Sequence, residues 1–125
     1  MALPEIRLDP AFLERYRECF EKAAYLAFQD LRIKVDQDQT VPFLNSPLSA
    51  SCHVYVDGDV VKIAWNTPYA AFQYFTPGLN HYLGQHANAT DHWMEKYLTG
   101  DERDYIKRRF EHHLENELRR AGYLT

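Results

Sequence analysis

Few residues in this chain could do chemistry, and their spacing limits them further. His81, His86 and His92 fall close together, and His112 and His113 are adjacent further along. A catalytic zinc typically takes about three side-chain ligands, often presented at helical spacing such as HExxH. No such spacing occurs here. His113 and Glu117 are four apart and could share a helix face, but a third ligand has no evident source. The histidines therefore read as surface or interface residues, and no metal or cofactor is expected. Cys52 and His53 are neighbours, yet successive side chains of a strand point to opposite faces, so adjacency does not make them a nucleophile and its base. Cys19 and Cys52 show neither metal spacing nor CxxC and read as small buried apolar residues. There is no GxSxG, no Gly-rich phosphate loop and no paired-carboxylate motif. Asp101, Glu102 and Asp104 suit the start of a helix, whose dipole favours acids there, and Lys107 to Arg109 read as a solvated face or a contact to an acidic partner. The expectation is a protein that is not an enzyme.

The elements that would position these residues follow from periodicity. Asp9-Pro10 is a helix-start pair. Phe12, Tyr16, Phe20, Ala23, Ala27 and Leu31 then recur at steps of three and four, predicting an amphipathic helix over 9–32. Residues 36–50 lose the period and read as a long loop. Residues 51–66 read as a hairpin turning at Asp57-Gly58, with Val54 opposite Val61 and Cys52 opposite Ile63. That register puts Cys52, Val54, Val61, Ile63 and Trp65 on one core face. A short helix is expected over 68–75, a second long loop over 76–90, and a helical region over 91–121. Thr99 to Glu102 resembles a capping box within that region, and Gly122 is a plausible stop. The fold class is α+β in a single domain, 1–125. Its small antiparallel sheet, a central hairpin, packs against a long N-terminal helix and a C-terminal helix.

Bulk properties narrow the partners. The 125 residues carry a net charge of −4, which leaves no basic footprint for gripping nucleic acid. No window is apolar enough to span a membrane, and MALPEIRLDP does not read as a signal peptide. Aromatic content is 14%, and five of the eleven residues in 65-WNTPYAAFQYF-75 are aromatic. A short helix cannot bury all of them against one small sheet. At least one should reach outward or under a loop, and aromatics that reach outward serve protein interfaces.

The order of these pieces resembles a known family. Val41-Pro42, Leu48 and Ser51 precede IAWNTPYAAFQYF (63–75), and NATDHWMEK (88–96) enters the last helix. This resembles the minor capsid protein family of tailed bacteriophages, which is similar to the tail-completion, or head–tail joining, proteins of siphophages. The likeness covers roughly residues 26–120. Asn45-Ser46 stand where the family has Thr-Gly, and Gly100 interrupts the last helix. The resemblance implies a structural protein of the virion neck, assembled in the host cytoplasm. It would form a ring, commonly hexameric, between the head-side connector and the major tail tube protein. DNA would pass through without sequence-specific binding. Trp65, Asn66, Thr67, Pro68, Tyr69 and Trp93 would form a structural corner. Val41, Pro42, Phe43, Leu44, Leu79, His81 and Tyr82 would carry loop contacts to neighbours. The alternative is a small α+β enzyme or ligand-binding module, with a pocket between hairpin and helices lined by Trp65, Tyr69 and Trp93. A weaker one is metal binding by the loop histidines.

Overall fold

The computed structural model describes residues 10–41, 47–67, 70–76 and 92–124. Five helices and one hairpin make up these parts: α1 (Pro10–Asp38), α2 (Pro47–Ala50), β1 (Cys52–Asp57), β2 (Val60–Trp65), α3 (Ala70–Phe75), α4 (Glu95–Leu98) and α5 (Tyr105–Arg120). The strands form a two-stranded antiparallel sheet, and the class is α+β. Helix α1 is the spine. Contacts between Phe12 and Tyr123, Phe20 and Phe110, and Asp30 and Arg109 show α5 running antiparallel along it. The hairpin lies along another flank of α1, its tip held by an ion pair between Arg17 and Asp59.

Helix α1 runs longer than the expected 9–32, and its buried stripe is shifted. Cys19, Ala23, Ala27, Leu31 and Val35 are buried at steps of four. Val35 extends the stripe one turn past Leu31, where the expected stripe ends. Asp38 secures that turn by accepting a hydrogen bond from the Tyr97 hydroxyl at 2.7 Å, with Lys34 and Lys96 beside it. The helix ends at Gln39, whose φ of 56° is left-handed. The polar start of the expected loop 36–50 is therefore helix, and its end is α2. Tyr16 and Phe20, expected on the core face, remain 40% and 48% exposed.

The hairpin register is two residues from the expected one. Cys52 pairs with Trp65, Val54 with Ile63, and Asp57 with Val60, so Gly58-Asp59 is the turn. Gly58 takes the first central position with φ of 61°, and Asp59 has negative φ, as in a type II′ turn. A shift of two preserves the side-chain alternation, so the predicted faces stand. Val54 is buried while His53, Tyr55 and Lys62 are exposed. The core joins Leu31 and Val35 to Val41, Leu48, Ala70, Trp93, Met94 and Tyr97.

The expected helical region 91–121 is two helices, and the capping box is not formed. Thr99 closes α4 instead, its backbone N–H bonding the Glu95 carbonyl at 2.9 Å. A turn through Gly100 to Asp104 follows before α5 begins. The end of α5 matches expectation: the N–H of Gly122 bonds the Arg119 carbonyl and that of Tyr123 the Leu118 carbonyl, the two bonds of a Schellman ending. Tyr123 then packs edge-on against Phe12, with ring centres 5.0 Å apart.

Gly100 has a packing reason to be glycine. A Cβ there would lie 2.9 Å from the Lys96 Cα, a backbone atom that cannot turn aside. Gly100→Ala should therefore lower stability by about 1–3 kcal/mol. In urea denaturation this appears as a lower midpoint at unchanged slope.

Candidate interaction surface

The aromatic corner is interior structure. Trp65, at the end of β2, meets Trp93 edge to face at 5.5 Å, and Trp93 meets Tyr74 of α3 in the same way at 4.8 Å. Trp93 is 2% exposed. The two sequence motifs thus meet in one cluster. The indole N–H groups of Trp65 and Trp93 and the Thr67 hydroxyl are buried without a hydrogen-bond partner among the described residues. Asn66 is exposed, and the Ala70 N–H bonds the Thr67 carbonyl as α3 begins. Pro68 and Tyr69 lie outside the described residues. So do Pro42, Phe43, Leu44, Leu79, His81, Tyr82 and His86, with nearly all of the second loop. Val41, expected at a contact loop, is instead 2% exposed and part of the core.

The titratable groups are tied into structure. Asp30 on α1 accepts from His113 at 2.7 Å and from Arg109 at 2.8 Å, both on α5. Burial works to raise its pKa, but the His113 and Arg109 hydrogen bonds outweigh it and hold the carboxyl below 3.8. Asp38 behaves alike: burial raises it, and the Tyr97 hydroxyl and Lys34 lower it further than that. Glu117, at the far end of α5, is buried and faces Lys22 at 3.6 Å and Arg120 at 3.3 Å. His113 and Glu117 therefore face cross-helix partners, and no group of three potential metal ligands occurs among the described residues. Cys52 lies on the inner side of the hairpin and His53 on the outer. Burial, with Asp36 adding to it against Arg32, pushes the Cys52 thiol up to about 12, so it carries little thiolate.

Part of the open surface is apolar. Two adjoining hollows flank Phe20, Ala24 and Phe28 on α1. One, of about 300 Å³, is walled by Ile106 and Phe110 of α5, with Lys107 at its edge. The other, of about 320 Å³, is walled by Val60 and Val61 at the hairpin tip, with Arg17, Glu21 and Asp59 at its edge. Together they form an open trough along α1. Two large apolar side chains are exposed elsewhere: Phe75 of α3 at 66% and Leu98 of α4 at 63%. Exposed apolar surface of this kind is costly in water.

Sequence reasoning missed the trough because it placed Phe20 in the core. A signal was present. Phe20, Ala24 and Phe28 form a second stripe beside Ala23, Ala27 and Leu31, and that apolar arc is wider than one neighbour can cover. Phe75 meets the expectation that one aromatic of the short helix reaches outward.

No protein-family model, curated protein or solved structure matches this chain.

The acid limb of stability follows from Asp30 and Asp38. Their pKa values are depressed in the folded state, so their contribution is complete above the unfolded value of 3.8 and fades as pH falls through the lower folded values. Thermal denaturation from about pH 6 to about pH 2 should show a steep fall below about pH 4. Asp30→Asn should be less stable near neutrality and should flatten that fall.

Proposed function

We propose that this chain is a structural subunit of a tailed-phage neck, which joins tail to head by assembling into a ring. Its neighbours would be the head-side connector and the major tail tube protein, with virion DNA passing through the ring. One observation carries the reading. The two motifs of the resemblance, WNTPYAAFQYF and NATDHWMEK, meet through Trp65, Tyr74 and Trp93 in a single cluster. They therefore act as one structural unit, as a shared fold requires.

Three further features support it. The accessible apolar surface suits protein contacts, with a trough on α1 and exposed Phe75 and Leu98. The titratable groups of the α1–α5 interface hold helices together. The net charge of −4 suits a ring through which DNA slides without sticking.

Deleting the gene in the parent phage should leave DNA-filled heads and finished tails that stay apart, visible by electron microscopy and restored by supplying the protein in trans. Normal joining in the deletion would overturn the reading.

A further inference from the structure

The hairpin tip carries a chemistry that neither the fold nor the neck reading uses. The peptide nitrogen that follows an aspartate can attack the side-chain carboxyl and close a five-membered succinimide ring. Glycine is the least hindered residue to supply that nitrogen, because it has no Cβ. Asp57-Gly58 is the one Asp-Gly pair in the 125 residues, and there is no Asn-Gly.

The tip leaves the reacting atoms open. Asp57 is exposed. A Cβ placed on Gly58 would meet nothing within 4 Å, so the space around the ring to be formed is clear. Asp57 and Val60 form the last rung of the ladder, and the Gly58 N–H takes no part in it.

One neighbour opposes the reaction. The Lys62 ammonium donates to Asp57 Oδ2 at 2.8 Å. That hydrogen bond, with the charge behind it, holds the carboxyl below its ordinary 3.8. Asp59, the other acid of the tip, is paired with Arg17 of α1. Ionisation matters because a protonated carboxyl expels water when attacked, whereas a carboxylate would have to expel oxide.

We infer that Asp57-Gly58 is a site of spontaneous isoaspartate formation and that Lys62 restrains it. The Gly58 nitrogen bonds to Asp57 Cγ, the Cγ–OH bond breaks, and the hydroxyl leaves with the Gly58 amide proton as water. Water then reopens the ring. Cleavage between the Asp57 main-chain carbonyl carbon and the Gly58 nitrogen leaves the chain running through Cγ, which is isoaspartate. Cleavage at Cγ restores aspartate. Nothing is oxidised or reduced. The isoaspartyl chain keeps its charge and gains one main-chain atom. A two-residue turn has no slack for that atom, so the Asp57–Val60 rung opens and Asp59 shifts from Arg17.

Ageing the purified full chain at mildly acidic and at neutral pH tests the inference. Peptide mapping with electron-transfer fragmentation distinguishes isoaspartate from aspartate at a given position. Isoaspartate should accumulate at residue 57, faster at the acidic pH, where more of the carboxyl is protonated. Lys62→Gln should keep the circular-dichroism spectrum and speed accumulation severalfold. Its acid-side rise should move to higher pH, because the carboxyl has lost the partner that keeps it ionised. Lys62→Arg keeps the cation and should stay near the rate of the unaltered chain. That contrast separates the charge from any loss of packing. Residue 57 remaining aspartate in the aged, folded chain would overturn the inference. So would isoaspartate that forms only when the chain is held unfolded in urea. A Lys62→Gln variant that ages no faster than the unaltered chain would overturn the role of Lys62.

Discussion

The close approach of α5 to α1 is the constraint on which the rest depends. The Cys19 thiol sits 3.7 Å from the Glu117 backbone carbonyl, so side chain touches backbone where the helices pass. Ala23 and Ala27 continue the stripe with the smallest side chains that still favour a helix. Larger residues there would push α5 away and separate Asp30 from Arg109 and His113. They would also separate Phe20 from Phe110, whose rings meet edge-on at 4.8 Å. One narrow stripe thus sets the spacing for both the polar clamp and the aromatic contacts.

Among the described residues, the same economy leaves α1 incompletely covered. A two-stranded hairpin and one helix cannot wrap a 29-residue spine on every side. The C-terminal half gains cover from α2, α3 and the Trp93–Tyr97 segment, which build the core around Leu31 and Val35. Near its middle α1 has α5 on one side and the hairpin tip on the other, and the strip between them is the trough. An exposed apolar strip on a rigid spine lowers solubility unless something covers it.

Much of this fold was legible in the sequence, because hydrophobic periodicity depends on neighbours a few residues away. The hairpin, the two long helices and the stop at Gly122 follow from such local signals. The register error came from taking Asp57-Gly58 as the turn, when Gly58 needs the first central position. Parity protected the faces, since only an odd shift would have turned Lys62 inward. The errors at 36–38 and at Thr99 share a cause. Asp36 to Asp38 look like loop, but a tertiary partner, Tyr97, holds Asp38 in the helix. Thr99 to Glu102 has the pattern of a cap, but Gly100 packs against the Lys96 backbone and delays α5 to Tyr105. The aromatic corner was legible as structure. The trough was not, because periodicity reports which residues are apolar and says nothing of how much cover the remaining elements can supply.

The claim that this unit builds a phage neck is tested most directly by an image reconstruction of the neck in an intact virion. The account predicts a ring between head connector and tail tube into which copies of the α1, α5 and hairpin unit fit. A neck resolved to side-chain detail with no density for this chain would contradict it.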